Sequence, residues 1–234
     1  MAPATRLDAL NDLPISAFRA KLWPHTDSRF NLFGPTDQES WRLSLRSSDG
    51  ISQSELMDCF KLLHHSSAAD YRASADGWHP VKKRREMRLL DMKYILLGRS
   101  ELWYPEVEEM CLPVYGFMSF MLTEEDGIEV VYCYEIHLEE SVRGRGVGKR
   151  LMGLLEEVGR KAEVKKAMLT VFKRNKAAVH FYERLGYEED EFSPRPKKLR
   201  NGIVKELDYM IMSKSLVSGV KNHDEGRQRK RKAG

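Results

Sequence analysis

The sequence contains little cysteine, and the cysteines it has do not suit a disulfide framework or a zinc site. Cys59, Cys111 and Cys133 are the three cysteines among 234 residues, they are widely spaced, and none belongs to a CxxC pair. An odd number of dispersed cysteines fits a reducing compartment. No group of histidine, cysteine and aspartate has the spacing of metal ligands, so we expect no metal ion.

Long apolar runs are also missing. The longest, residues 114–122, is broken by Gly116 and Ser119, and it is much shorter than the roughly 18 residues of a membrane helix. Near the N-terminus, Asp8, Asn11 and Asp12 stand where a secretion signal has its apolar region. We therefore expect no membrane association.

Charge of one sign is in small excess. The formal net charge of +4 is too small to predict a partner by itself, and we expect no stable complex with nucleic acid. Basic residues are concentrated at 227–232, a pattern typical of a nuclear-localisation segment and also of a solubilising tail. We expect residues 217–234 to form a disordered basic tail.

The rest of the chain alternates helical and extended patterns. Ser52 and Glu55 form a capping box that predicts a helix near 52–66. Periodicity then predicts, in chain order, a loop at 71–79, a basic helix at 81–92, strands at 93–99, 114–123 and 128–138 with a turn at 124–127, a helix at 149–160, a strand at 167–172, a helix at 175–185 and strands from 187 and at 204–212.

This order of elements predicts an α/β fold with a mixed, mostly antiparallel central sheet flanked by helices. We expect residues 1–50 to form an N-terminal extension that packs on the core. Residues 51–216 are expected to form one domain.

The glycine-rich segment at 142–149, Val-Arg-Gly-Arg-Gly-Val-Gly-Lys, carries the strongest chemical signal. It lies between a predicted strand and a predicted helix, where free backbone N–H groups and the helix dipole can hold phosphate oxygens. It has neither the GxGxxG spacing of a dinucleotide site nor the ending of a P-loop. The expected anion-binding residues are Arg143, Gly144, Arg145, Gly146, Val147, Gly148 and Lys149.

Two motifs together resemble the Gcn5-related N-acetyltransferase (GNAT) superfamily. They are Arg143-x-x-Gly146-x-Gly148 and, about thirty residues later, Asn175-x-x-Ala-x-x-Phe-Tyr-x-x-Leu-Gly-Tyr. The resemblance implies a GNAT fold, acetyl-CoA as co-substrate and direct acetyl transfer in a ternary complex. It also implies that Asn175 contacts the coenzyme, although an asparagine there also serves as a helix N-cap. Backbone groups of Ile136, His137 and Leu138 are implied to hold the acetyl-pantetheine arm, whereas the His137 side chain is expected to be structural or at the surface.

Segments 131–139 and 167–175 more closely resemble the N-alpha-acetyltransferase D (NatD) family, whose members acetylate the N-terminal amine of histones H4 and H2A. The likeness covers residues 71–216 and not the first 50. It implies histone H4 and H2A tails as partners, a monomer, and a location in nucleus and cytoplasm. Animal members begin with a Lys/Arg-rich arm, whereas here the basic segment is C-terminal.

Glu135 is the expected general base, because a peptide α-amino group has a pKa of about 7.7–8.0 and must be deprotonated to attack. The alternative is a charged residue on a solvated strand face. Tyr134 is expected to share this site, yet neighbours on a regular strand point to opposite faces, so the strand must bulge. Tyr182 is expected either to protonate the leaving thiolate or to pack under its helix.

The substrate residues are implied by the same resemblance. Acids at the predicted turn, Glu124 and Glu125 with Asp126, are expected to bind the arginine of a Ser-Gly-Arg-Gly terminus, since buried arginine favours bidentate carboxylates; a solvated turn is the alternative. The residues expected to line the peptide groove are Tyr71, Tyr132, Tyr134, Thr170, Ser193 and Tyr209.

Two other functions stay open from the sequence. One is a related acetyltransferase that modifies lysine side chains or small amines. The other is a non-catalytic module that keeps the fold and binds an acyl-CoA or a histone tail.

Overall fold

The computed structural model describes residues 5–24, 29–31, 40–99, 113–198 and 204–217. Six α-helices lie in these ranges: α1 Arg6–Asn11, α2 Ile15–Leu22, α3 Gln53–Ala73, α4 Pro80–Glu86, α5 Val147–Lys161 and α6 Lys176–Arg184. The strands are β1 Arg29–Asn31, β2 Ser40–Ser47, β3 Lys93–Arg99, β4 Gly116–Glu125, β5 Ile128–Leu138, β6 Lys166–Phe172, β7 Glu188–Glu189, β8 Lys197–Lys198, β9 Val204–Lys205 and β10 Tyr209–Ser215.

Eight strands form one mixed sheet in the order β1-β2-β3-β4-β5-β6-β10-β7. Strands β5 and β6 are parallel, and every other neighbouring pair is antiparallel. The short strands β8 and β9 pair separately. The predicted mixed, mostly antiparallel α/β fold is therefore confirmed.

The two faces of the sheet carry different helices and different cores. The larger core includes Phe18 of α2 and Leu151 of α5, together with residues of α1 and α6. The smaller core includes Leu63 of α3, Tyr94 of β3 and Phe117 of β4. The side chains of the candidate site lie on this second face, between the sheet and α3.

Helix α5 lies unusually close to the sheet because of Gly159. A Cβ atom there would approach Cγ1 of Val131 to 2.7 Å and would also collide with Leu216. Leu151, Leu155 and Val158 complete the buried stripe of the helix. This packing anchors α5 on the sheet, and the glycine-rich loop lies at the N-terminal end of the same helix.

Several boundaries differ from those predicted. Helix α3 extends to Ala73, so Tyr71 lies in its last turn and not in a loop. The basic helix α4 ends at Glu86, well before residue 92. The final predicted strand is two strands, β9 and β10, separated by residues 206–208. Polar residues at helix ends and in short basic segments carry too little periodicity to locate such boundaries.

The N-terminal segment contains more regular structure than its sequence suggests. Thr5 and Asp8 form a capping box at the start of α1, and β2 pairs along its length with β3 inside the main sheet. Leu7, Phe18 and Leu22 are buried in the larger core. The predicted division of the chain into domains stays a prediction, as does the disordered tail, which lies outside the described residues.

Candidate active site

The predicted irregularity in β5 is present at Tyr134. Ser119 of β4 pairs with Glu135, whereas the next residue, Phe120, pairs with Cys133. Tyr134 is therefore the extra residue of a β-bulge. Because the bulge resets the alternation of side chains, Tyr134 and Glu135 both face the smaller core, while Cys133 and Ile136 face the larger one.

Strands β5 and β6 separate at the same point. Their parallel pairing runs from Val130 to Cys133 and ends there, opposite Leu169 of β6. Residues 136–138 therefore continue without β6 as a neighbour, while they still pair with β4. Backbone groups of Ile136, His137 and Leu138 on the β6 side are free of that ladder, as a strand-like ligand would require; their contact with the coenzyme stays a prediction.

Three hydrogen-bond donors surround the Glu135 carboxylate. The Tyr71 hydroxyl donates to Oε1 over 3.0 Å, and the Lys83 Nζ donates to the same oxygen over 2.9 Å. Nε2 of His137 lies 2.7 Å from Oε2. Glu135 is 8% exposed, so these donors replace water around a buried charge.

The Glu135 carboxyl is strongly biased toward its ionised form. Burial alone would raise its pKa, but the hydrogen bond from His137 and the charges of His137 and Lys83 prevail and lower the pKa to about 2. An ionised carboxylate offers about four lone-pair positions. Three donors leave room for one more, such as an amine.

The partners of Glu135 are themselves held in place. Burial opposes the charge of Lys83, yet the carboxylates of Glu135 and Glu86 raise its pKa above the ordinary value. Lys83 also lies 2.8 Å from Glu86 and 4.8 Å from the centre of the Tyr71 ring. Burial, together with the negative charge of Glu135, raises the pKa of Tyr71, which keeps its hydroxyl a neutral donor.

Three side chains of this cluster were not predicted. Lys83 lies in a run of basic residues where nothing in the sequence distinguishes the one that points inward. His137 was expected to be structural or at the surface, and it is buried, as a structural residue would be. Its contacts were not predicted: Nε2 is bonded to Glu135, and Nδ1 lies 2.6 Å from Oγ of Ser66. The period-2 spacing of Glu135 and His137 places both on one strand face and could have indicated this contact.

Tyr182 lies in α6, buried against the larger core beside Tyr187. Burial, followed by the charges of Cys133 and Glu135, raises the pKa of Tyr182. Its hydroxyl is therefore a neutral phenol in the neighbourhood of the point where β5 and β6 separate. This placement is compatible with both predicted roles, packing and proton donation to a thiolate.

The glycine-rich loop has the conformation of an anion site. Gly144 and Gly146 have φ angles of +73° and +81°, which residues with a Cβ rarely adopt, and no atom lies within 4 Å of a Cβ built on either. Gly146 is the N-cap of α5, and no side chain caps the first turn. The N–H groups of Val147, Gly148 and Lys149 are thus available to phosphate oxygens.

The structure shows how neighbouring residues hold the glycine-rich loop, but it does not test every predicted coenzyme contact. Gly148 lies against α6, since a Cβ there would approach the Phe181 ring to 3.1 Å. Asn175 accepts a hydrogen bond from the Ala178 N–H and so caps α6, which is the alternative role predicted for it. Arg143 donates to the carbonyl of Leu138 over 2.9 Å, so part of its donor capacity is used to close the loop onto β5. Contacts of Asn175, Arg145 and Lys149 with the coenzyme stay predictions.

The predicted peptide residues lie on the same face as Glu135. The Tyr132 hydroxyl is 2.6 Å from Oγ1 of Thr170, and the Tyr134 ring lies tilted against that of Tyr132, with 5.2 Å between the ring centres. Tyr209 pairs with Phe172 at the end of β10, and the Phe172 ring meets Tyr71 edge-on at 5.1 Å. Aromatic and hydroxyl side chains therefore lie together on one face of the sheet beside the bulge, where the peptide groove is predicted.

Of the three acids predicted at the turn, Asp126 alone lies in it. Glu124 and Glu125 are the last residues of β4, paired with Glu129 and Ile128, and the turn consists of Asp126 and Gly127, both with positive φ. Neighbours on a strand point to opposite faces, so Glu125 and not Glu124 shares the face of Met121 and the groove. Consistently, the charge of Glu125 contributes to the raised pKa values of Tyr132 and Tyr134.

Ser193, also predicted to line the groove, makes hydrogen bonds that hold neighbouring strands together. Its hydroxyl donates to Glu189 over 2.8 Å and accepts from the Ile211 N–H over 3.2 Å. It is buried at the far side of β10 from β6. The structure therefore ties Ser193 to β7 and β10, and its contact with substrate stays a prediction.

Within the described ranges, no group of three or more His, Cys, Asp or Glu side chains could hold a metal ion. None of the described helices combines the length and apolar character that crossing a membrane requires.

Comparison with known proteins identifies related sequences. Residues 71–187 match the acetyltransferase (GNAT) family. N-alpha-acetyltransferase 40 of Saccharomyces cerevisiae is 37% identical over 157 residues, which are 59% of this chain and 53% of the yeast protein. The chain thus spans about half the length of that curated relative.

Two solved structures show the same fold. An acetyltransferase of the GNAT family from Staphylococcus aureus aligns with a TM-score of 0.52 at 9% identity, over 75% of this chain and 99% of that one. Arabidopsis thaliana NAA60, solved in complex with a bisubstrate analogue, aligns with a TM-score of 0.51 at 14% identity, over 74% of this chain and 98% of that one.

Proposed function

The chain belongs to the acetyltransferase (GNAT) family, and on that premise we propose that it transfers an acetyl group from acetyl-CoA to the N-terminal amine of a protein. We further propose that the acceptor is the N-terminal serine of histones H4 and H2A, as in the NatD family. The observation that best supports this proposal is the β-bulge at Tyr134. It brings Tyr134 and the buried Glu135 to one face at the point where β5 and β6 separate.

The co-substrate fits the residues present. The uncapped first turn of α5 and the open glycines at 144 and 146 would hold the pyrophosphate, and residues 136–138 of β5, which lie beyond the pairing with β6, would hold the acyl arm. Acetyl-CoA supplies a thioester whose acyl carbon the amine attacks. The chain supplies orientation and a proton acceptor.

Glu135 is the proposed acceptor of the amine proton. Because its pKa is about 2, it is ionised at any pH at which the amine is partly neutral. A carboxylate of so low a pKa is a weak base, so it does not strip the free ammonium ion. It accepts a hydrogen bond from the neutral amine and takes the proton as the N–C bond forms, when the nitrogen becomes strongly acidic.

The groove supports a peptide acceptor. Tyr71, Tyr134 and Tyr209 offer flat surfaces and hydroxyl groups along one path, and Glu125 provides a carboxylate at its rim. Burial and the charge of Asp126 raise the pKa of Glu125, so a cationic partner would be favourable there. An arginine in the third position of the substrate is the proposed partner of Glu125.

The proposal extends to the setting in which the enzyme works. We propose that it acts as a monomer on histone H4 and H2A tails, in nucleus and cytoplasm, without a stable nucleic-acid complex. Support comes from the NatD-like segments at 131–139 and 167–175 and from the yeast relative.

The test is acetyl transfer to two peptides that differ only in whether the N-terminal amine is free or blocked. One begins Ser-Gly-Arg-Gly-Lys with a free amine, and the other is identical but blocked at its N-terminus. Transfer to the free-amine peptide alone is expected. Equal transfer to both would indicate lysine acetylation and overturn the proposed acceptor, and bound coenzyme without transfer to either would favour a non-catalytic module.

A further inference from the structure

A polar chain connects Glu135 to helix α3 through His137. Nε2 of His137 lies 2.7 Å from Oε2 of Glu135, and Nδ1 lies 2.6 Å from Oγ of Ser66. The imidazole is 8% exposed and packs against the Phe117 ring at 5.3 Å. Both ring nitrogens are therefore engaged in a site where water does not compete.

These contacts determine the tautomer of His137. The ionised Glu135 carboxylate can only accept, so Nε2 must carry a hydrogen. When the ring is neutral, Nδ1 is an acceptor and the Ser66 hydroxyl donates to it. Ser66 Oγ also lies 2.8 Å from the carbonyl of Leu62, so a histidine protonated at both nitrogens is accommodated by rotating that hydroxyl toward Leu62.

The same contacts determine the orientation of Glu135. Tyr71 and Lys83 both donate to Oε1, whereas His137 is the donor that the described residues provide to Oε2. Without His137, nothing in this set opposes rotation of Oε2, and the remaining lone pair would have no fixed direction. The donor on Oε2 therefore decides which lone pair is left for the amine.

We propose that His137, held by Ser66, is a positioning residue that orients the Glu135 carboxylate for proton acceptance. This inference rests on the proposed function, because it assigns His137 a role in that reaction. It assigns no contact between the His137 side chain and either substrate. The rival interpretation is that His137 fills space in a buried site.

Two substitutions separate these interpretations. In His137→Gln the amide nitrogen is four bonds from Cα, as Nε2 of histidine is, so it can donate to Glu135. His137→Leu fills similar space without a donor. We expect His137→Leu to lower kcat about tenfold or more, the order of a lost hydrogen bond to a charged group, with little change in KM for acetyl-CoA. His137→Gln is expected to restore most of the loss.

Ser66→Ala tests the second half of the chain. It is expected to lower kcat in the wild-type background, because Nδ1 loses its donor. In the His137→Gln background it is expected to have no further effect, since glutamine has no Nδ1 to orient. Equal activity of the leucine and glutamine variants, or equal effects of Ser66→Ala in both backgrounds, would overturn the proposal.

A measurement without substrates distinguishes failure of this inference from failure of the proposed function. Nitrogen-15 NMR of the free protein at neutral pH should show hydrogen on Nε2 of His137, and carbon-13 titration should show Glu135 protonating at higher pH in His137→Leu than in wild type. A hydrogen on Nδ1 alone, or an unchanged titration, would refute it even in an active enzyme. His137 and Lys83 lower the pKa of Glu135, and the charge of Glu135 in turn acts on Tyr71, Lys83, Tyr94, Cys133 and Tyr182. Glu86 acts on Lys83 and Tyr94.

Discussion

At the scale of single residues, side chains from three elements converge on one buried carboxylate. Tyr71 comes from α3, Lys83 from α4 and His137 from β5. Each donates a hydrogen bond, and together they hold a negative charge in a site where desolvation opposes it. The arrangement explains how an acidic residue inside a sheet can remain ionised and still accept one more hydrogen.

The low pKa of Glu135 predicts part of the acid sensitivity of the fold. Its pKa falls from an ordinary 4.5 to about 2 in the folded protein, so between these values the unfolded chain binds more protons. The free energy of unfolding should therefore fall as pH drops through this window. Urea unfolding at several pH values should show a shallower fall for Glu135→Gln. Parallel curves for variant and wild type would contradict the assignment.

Glu125 should recognise the substrate arginine, and Glu124 should not. Glu125→Gln is expected to raise KM for a Ser-Gly-Arg-Gly peptide about tenfold, the order of a lost charge-assisted hydrogen bond. For a Ser-Gly-Ala-Gly peptide the same variant should behave like wild type. The Glu124 side chain points to the other face of the sheet, so Glu124→Gln serves as the matched comparison. A larger effect of Glu124→Gln, or equal effects on both peptides, would contradict the assignment.

The sequence predicted Glu135, Tyr134, Tyr71 and the glycine-rich loop as site residues, but not the contacts of Lys83 and Ser66. Glu135, Tyr134 and the glycine-rich loop follow from motifs and from the need for a bulge. Lys83 and Ser66 could not be found, because their inward direction depends on how α3 and α4 cross the sheet. Glu124 and Glu125 were placed in a turn because acidic residues favour turns, although the positive φ angles at Asp126 and Gly127 close it in two residues.

At the scale of elements, the start of α5 and the separation of β5 from β6 form the proposed coenzyme path. The helix begins at a glycine in the left-handed region, and its first turn has no side-chain cap. The bulge and the separation occur within two residues of each other on β5. Both depend on pairing between strands, so a sequence can suggest them only when two side chains need the same face.

Glycine at position 146 should matter for conformation and for binding. With φ at +81°, Gly146→Ala is expected to cost about 1–2 kcal/mol of stability and to weaken acetyl-CoA binding. Gly153→Ala is the matched control, because it lies inside α5 with no atom within 4 Å of an added Cβ. It should stabilise by up to about 1 kcal/mol. Chemical unfolding and calorimetric titration of both variants are the measurements, and equal behaviour of the two would contradict this account.

At the scale of the whole molecule, the N-terminal helices belong to the same core as the catalytic elements. Phe18 is fully buried, its ring lies 6.4 Å from that of Phe120, and α2 packs against α5 and β2. Prolines and weak periodicity concealed these elements in the sequence. The strands at 93–99, 114–123 and 128–138, by contrast, were predicted from their β-rich runs.

Removing the Phe18 ring should therefore destabilise the whole protein. Phe18→Ala is expected to lower the free energy of unfolding by about 3–5 kcal/mol through lost burial and a cavity. Lys21→Ala, on the exposed side of the same helix, should change it by less than about 0.5 kcal/mol. The free energies of unfolding of both variants are measured by urea denaturation. Similar stabilities would mean that α2 is not part of the cooperative core.

The most direct test of the central claim is the acetyl-transfer rate of Glu135→Gln, measured with acetyl-CoA affinity in the same preparation. The predicted result is a loss of at least about 100-fold in turnover on the free-amine peptide, with coenzyme affinity unchanged. Glu157→Gln, an exposed position on α5, should retain wild-type turnover. Acetylation by Glu135→Gln at the wild-type rate would contradict the assignment of Glu135 as proton acceptor.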